Sequence, residues 1–429
     1  MFRPFRAPRI VAGLLLASAC VLVASELHAS SYLDRSFGTP QLGVSARLRG
    51  MGGAGGALGD AGLGILDNPV SPILDPAGPH GSGLSLQLSG GLARSSENRM
   101  VPLYDTFDDY VVQTAIAVND HQYGSIDFGA TLRQPWLHGV VIGFSSAGAY
   151  DPRYDYYDER RTTATTDQIV SEKFITTTGT LRENGLSISR ELPFGILAGI
   201  AGHLYTGDLT DREALVPRQN GVTGTSSETR RSLQGTSMSL GAAYHLGERL
   251  TGAVSWETGP SFTEHYTQSE NDSVTVGPDA ERTVYWPARV HFSGAYRPRN
   301  SLRTAFAADA IWTQWSKVAD PSDPTQTLLD TWDVRFGLEH YYLPSLPGRI
   351  GFRYERSPEM KEADRAWFGF GAGWRADRYQ LDGAVEIGKR TSRQEPLWSR
   401  SEQAGAVGAG LDQVEDTVTR ISFGVRTDF

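Results

Sequence analysis

The 429-residue chain holds one cysteine, which excludes a disulfide framework. Histidine is also scarce. His121, His138, His203, His245, His265, His291 and His340 are scattered without metal-ligand spacing, so no metal and no other cofactor is expected. Beyond the N-terminus there is no apolar run of about 20 residues, which excludes a polytopic helical membrane protein. Apolar residues reach only 39%, too few for a large conventional core. A basic excess is missing too: the formal charge of −9 speaks against a nucleic-acid partner. Glycine is abundant, at 48 residues.

Arg3, Arg6 and Arg9 precede an apolar run from Ile10 to Ala24, then Glu26 to Ala29. This is the layout of a secretory signal peptide over residues 1–29, with cleavage after Ala29. The alternative is a lipoprotein signal ending at Cys20, although Ala17 stands where leucine is expected. Cleavage after Ala29 removes the cysteine. An exported chain without disulfides needs an extensive hydrogen-bonded architecture.

From residue 84 onward the dominant period is two. Leu84, Leu86 and Leu88 alternate with Ser85, Gln87 and Ser89, and Ile126, Phe128 and Leu132 with Asp127, Thr131 and Arg133. Trp332, Val334, Phe336 and Leu338 oppose Asp333, Arg335 and Glu339. About fourteen strands are predicted, near 81–95, 122–133, 138–150, 180–192, 195–207, 233–246, 249–260, 285–297, 301–317, 328–342, 348–357, 364–375, 378–390 and 416–429. Tight turns such as Pro193 to Phe194 alternate with long polar connections at 151–179, 208–232, 261–284 and 391–415. Short turns at one end and long loops at the other are the layout of a transmembrane antiparallel β-barrel of the outer membrane.

In such a barrel the apolar face meets lipid, which explains how 39% apolar residues suffice. Trp286, Trp312, Trp315, Tyr341, Tyr342, Trp367 and Trp374 lie near strand ends and are expected to form interfacial girdles. A soluble β-sandwich is the alternative, but so many consecutive hairpin strands exceed an ordinary sandwich. In the last strand Ile421, Phe423, Val425 and the terminal Phe429 share a face. An aromatic end to such a strand resembles the signal read by the barrel-assembly machinery of bacterial outer membranes.

Residues 38–80 do not alternate. Gly50, Gly52 and Gly55 satisfy a dinucleotide-binding pattern, yet no strand, helix and parallel sheet surround it. A fourteen-strand lumen is too wide for side chains alone to fill, so residues 30–80 are expected to form a plug, or hatch, inside a barrel of residues 81–429. Its marks are Gly50, Met51, Gly52, Gly53, Ala54, Asp60, Asn68 and Pro69. With Ala46 ahead of them, these residues resemble the N-terminal hatch of the FadL family, the long-chain fatty-acid transporters of the outer membrane, and of its PorV-like relatives. Trp286-Pro287, Ala295-Tyr296-Arg297-Pro298 and Trp312-Thr313-Gln314-Trp315-Ser316 look familiar in the same way, while Val70 departs from the usual alanine.

The resemblance implies passive uptake of hydrophobic compounds, captured near the extracellular loops and released sideways through a gap at a kinked strand, in the outer membrane of a Gram-negative bacterium. The implied partners are a hydrophobic substrate, outer-membrane lipid and the assembly machinery, with the chain itself a monomer. A PorV-like scaffold or shuttle for secreted proteins is the alternative. For the gap, the glycine-rich third strand with Gly139, Gly143 and Gly148 is the candidate. Arg289, Arg335 and Arg353 are candidates for a carboxylate head group, unless they pair with Asp309, Asp333, Glu339 and Glu355 across neighbouring strands. The Asp151 to Arg160 stretch, with Tyr154, Tyr156 and Tyr157, reads as a solvated loop, with cation binding the alternative. No catalytic set emerges, and the chain is expected not to be an enzyme.

Overall fold

The computed structural model describes residues 32–35, 39–40, 45–75, 83–104, 110–161, 168–271, 273–299, 303–318, 327–397 and 411–429. The signal-peptide reading at 1–29 lies outside them, as do the hatch flanks at 36–38, 41–44 and 76–80.

Fourteen antiparallel strands close into a barrel. They are β1 (Gly83–Tyr104), β2 (Tyr110–Arg133), β3 (Val140–Asp151, resuming at Tyr154–Arg161), β4 (Ile169–Glu191), β5 (Ile196–Pro217), β6 (Thr225–Leu246) and β7 (Leu250–Glu257, resuming at Ser261–Glu270). The circuit continues with β8 (Ser273–Tyr285, resuming at Arg289–Tyr296), β9 (Thr304–Thr313), β10 (Thr331–Leu343), β11 (Leu346–Glu355), β12 (Arg365–Ala376), β13 (Tyr379–Gln394) and β14 (Asp412–Asp428). β14 pairs with β1 and closes the ring. The seam is finished by Phe429, whose N–H donates to the Leu84 carbonyl at 2.8 Å and whose carbonyl accepts from Leu84 N–H at 3.3 Å. Deleting Phe429 removes both bonds together with the terminal aromatic. The heat-modifiable, folded fraction recovered from outer membranes is therefore expected to fall several-fold; an unchanged fraction would remove any role for this residue in assembly.

The period-2 pattern sets the two faces. Leu204 is 59% exposed and Phe423 65%, on an outer wall that a bilayer would cover, while Glu97, Arg335 and Glu386 are buried inside. The short turns fall where the sequence places them. The long polar connections do not: most of 208–232 and 261–284 continues the ladder, and residues 154–161 and 169–179 pair across β3 and β4. Beyond the bilayer both faces of a hairpin can be polar, so alternation vanishes while the backbone bonds persist. β2 and β4 run 24 and 23 residues, about twice the span of a bilayer. The expected girdle also needs correction. Tyr342 and Trp374 are exposed, but Trp315, Tyr341 and Trp367 are buried and Trp286 packs inside. Position near a strand end does not decide which face a ring occupies; parity along the strand does.

Candidate functional site

Residues 45–75 fill the lumen. Ser45 caps α1 (Ala46–Arg49) by accepting from Leu48 N–H at 3.2 Å. The chain then turns through Gly52 and Gly53 at positive φ, where side chains are disfavoured, and passes a 3-10 turn, Leu63–Leu66, to α2 (Ser71–Leu74). Asn68 pins the return: its Nδ2 donates to the Gly56 carbonyl at 3.1 Å and its Oδ1 accepts from Val70 N–H at 3.1 Å. Asp60 N–H donates to Ser71 Oγ at 2.8 Å, and its carboxylate takes Gln87 Nε2 at 3.4 Å. Burial pushes the Asp60 carboxyl above its ordinary value, against the opposing pull of Arg47.

The hatch meets the wall at glycines. A Cβ on Gly129 would lie 2.6 Å from Leu63 N, on Gly199 2.9 Å from Pro69 O, on Gly337 2.7 Å from Met51 O and on Gly371 3.0 Å from the Cα of Gly50. At Gly351 it would overlap the Met51 carbonyl carbon and the Gly52 nitrogen, and at Gly241 the Asn68 side-chain oxygen. Strand after strand thus presents its own backbone to the plug. Gly143 belongs to this set, against Ile65 and Pro72, so its role is hatch contact rather than strand curvature. Gly139 sits in the turn before β3 at positive φ.

Buried charges clamp the hatch. Arg47 donates to both oxygens of Glu339, Nε and Nη2 each at 3.1 Å, and Arg349 Nε reaches the same carboxylate at 2.7 Å. Asp309 Oδ2 accepts from the Gly55 and Gly56 N–H groups at 2.9 and 3.3 Å. Arg426 pairs with Asp75, and Arg49 donates to Ser422 Oγ at 2.9 Å.

Between β2 and β3 the ladder runs from Arg133 opposite Val141 to Phe128 opposite Ser146 and stops. On its other side β3 shifts register between Gly148 and Tyr150, then resumes with Tyr154 opposite Thr177. The backbone released at the break is met in part by the hatch, where Thr39 and Pro40 pair with Asp151 and Tyr150, and in part by side chains. Arg182 donates to the Ile126 carbonyl at 3.1 and 3.2 Å, Arg153 Nη2 to the Gly124 carbonyl at 3.4 Å, and Gly148 N–H donates to Asp127 Oδ1 at 3.1 Å. In a bilayer unpaired backbone is tolerated only where such partners exist. The break is therefore built into the wall rather than frayed.

Beside it, inside the barrel, Ala149 and Tyr150 join Leu181, Tyr205, Leu209, Leu233, Phe262 and Val284 in one apolar cluster, with Trp286 against it. The Tyr150 and Trp286 rings meet edge-on at 4.0 Å, Phe262 and Trp286 lie 4.9 Å apart, and Tyr205 and Phe262 5.5 Å. Sequence reasoning missed this cluster. Its signal was present: Leu181, Tyr205 and Leu209 are large apolar residues on the parity that carries Glu183 and His203. A shallow groove of about 560 Å³ lined by Tyr296, Phe306, Phe336 and Ile350 lies elsewhere, among outward-facing rings, and plays no part in this site.

The three candidate arginines are engaged within the chain. Arg353 reaches Glu355 at 2.7 Å and Glu386 at 3.2 Å, and Arg335 donates to the Gly53 carbonyl at 3.1 Å. Both face the hatch at Gly53; Arg289 stands apart, with Glu257 at 3.1 Å. The Asp151 to Arg160 stretch is no solvated loop. Tyr154 and Tyr156 are buried and stacked, Tyr154 donating to Glu97 Oε1 at 3.0 Å.

A closed fourteen-strand barrel with a lumenal hatch and a broken third strand defines a plugged outer-membrane barrel. No protein-family model matches the sequence, and no curated protein does. The fold is that of the FadL family. A Pseudomonas aeruginosa FadL homologue superposes with a TM-score of 0.63 at 13% identity, over 94% of this chain and 100% of that one. The P. putida toluene transporter TodX gives 0.60 at 12%, over 92% and 99%, and the Ralstonia pickettii toluene transporter TbuX 0.58 at 14%, over 90% and 98%. At such identities the likeness is one of fold.

Proposed function

We propose that the protein is a passive, non-enzymatic channel of the Gram-negative outer membrane for hydrophobic compounds. They enter at the tall end of the barrel, collect at the aromatic cluster and leave sideways through the break between β2 and β3. The observation that carries this reading is the adjacency of the two features: Ala149 and Tyr150 belong both to the cluster and to the strand at the break. A hydrophobic guest would thus pass from stacked rings to lipid beside Thr39 and Pro40, which pair with Asp151 and Tyr150 at the edge of the break, while residues 45–75 stay seated against polar solutes. The similar folds of toluene transporters support the same reading.

The direct test is uptake of radiolabelled naphthalene and decanol by a Gram-negative host that lacks such channels and expresses this chain. Ala149→Trp places an indole between the cluster and the break and is expected to cut that uptake about tenfold, while heat-modifiable barrel persists. Uptake equal to that of empty-vector cells would sink the channel reading and favour the scaffold alternative. Full uptake by Ala149→Trp would move the exit elsewhere.

A further inference from the structure

The floor of the aromatic cluster decides what kind of guest fits above it. Arg289 is the cation there, and its Nε donates to Glu257 Oε2 at 3.1 Å. Glu257 is buried and also accepts from Tyr205 Oη at 2.8 Å and from Ser237 Oγ at 3.0 Å. A second buried carboxylate, Glu183, lies 2.6 Å from His203 Nδ1, while His203 Nε2 meets Ser239 Oγ at 2.8 Å. Nearer the break, Arg153 is held by Asp151 at 2.7 Å. Arg182 alternates with the buried Leu181 and Glu183, which turns it to the opposite face, where it serves the Ile126 carbonyl. Two residues further along the same inward face, Arg231 pairs with Asp211 and Arg282 with Glu264 at 2.5 Å, so a guest in the cluster meets guanidiniums and an imidazole that carboxylates already claim.

We propose that Glu257 is a specificity-determining residue: by occupying Arg289 it leaves the cluster without a cation for an anionic head group, so the site takes uncharged hydrophobic molecules of aromatic size and rejects carboxylates. This rests on the channel reading above and narrows it. A carboxylate entering here would shed its water next to Glu183 and Glu257, a like-charge and desolvation penalty together. A neutral ring meets only the stacking faces of Tyr150, Phe262 and Trp286.

Matched pairs that differ only in charge provide the test: toluene against benzoate and decanol against decanoate, titrated calorimetrically at neutral pH into the full chain in detergent. The neutral member of each pair is expected to bind at least about tenfold more tightly, the scale of one charge-assisted hydrogen bond. Glu257→Gln releases Arg289 and is expected to strengthen carboxylate binding about tenfold with little change for the neutral partners. Adding Arg289→Gln should erase that gain. Equal binding within a pair by the unaltered protein, or an unchanged preference in Glu257→Gln, overturns the assignment and leaves the channel reading standing. Failure of the unaltered protein to bind either neutral compound overturns both. If Glu257→Gln does not assemble, the comparison on the unaltered protein decides alone.

Discussion

Gly351→Leu is expected to unseat the hatch and convert a sealed barrel into a conducting one. The new side chain would begin inside the Met51 carbonyl carbon and the Gly52 nitrogen. These are backbone atoms of a segment already turned through positive φ at Gly52 and Gly53, so no rotamer change relieves the overlap. Overpacking a core with side-chain neighbours costs about 1–3 kcal/mol; here the neighbour is main chain, and the cheaper response is withdrawal of the hatch. Planar-bilayer recordings are expected to show steady ion current for the variant and near silence for the parent. Gly294→Leu is the control, since a Cβ there meets nothing closer than the Ala308 carbonyl at 4.0 Å. A Gly351→Leu barrel as tight as the parent would mean that the hatch does not seal by contact with the wall.

Glu339→Ala is expected to loosen the same plug electrostatically. Its carboxylate is shared by Arg47 and Arg349, so its removal strands two buried cations. Breaking a buried pair costs about 3–5 kcal/mol. Arg349 retains Asp382 at 2.7 Å, and Arg47 retains the Gly59 carbonyl at 2.8 Å, which points to the lower end, about 3 kcal/mol. Amide exchange across residues 46–59 should accelerate about a hundredfold, as that energy converts, with the β13–β14 ladder protected as before. Exchange that rises equally everywhere would show Glu339 to be a barrel residue rather than a hatch clamp.

Much of this was legible in the order of residues because a barrel wall is a one-dimensional code. Leu84-x-Leu86-x-Leu88 and Trp332-x-Val334-x-Phe336 state which face is which, and the tight turns fall at the ends of those runs. The upper halves of β4 to β8 resemble loops in sequence because polar residues on both faces erase the period without erasing the ladder. The hatch announced itself through Gly50 to Ala54, but its partners did not: Gly351 and Gly371 look like ordinary strand glycines until a turn of chain from 300 residues away is laid against them. The arginines were visible as lumenal, while Glu257 and Glu386 as their acceptors depend on strand register. The aromatic cluster combines residues from β3 to β8, so no local window contains it.

The polar contacts of the hatch also bear on how the barrel is held shut. The hatch ties the closing strands from within: Arg49 reaches Ser422 and Arg426 holds Asp75 on β14, while Gln87 on β1 donates to Asp60 and accepts from Leu63 N–H at 3.3 Å. Closure of the seam and seating of the plug therefore reinforce each other, each holding in place the groups the other needs. A barrel whose plug is in place is thereby stapled from within across the one junction that joins its first strand to its last.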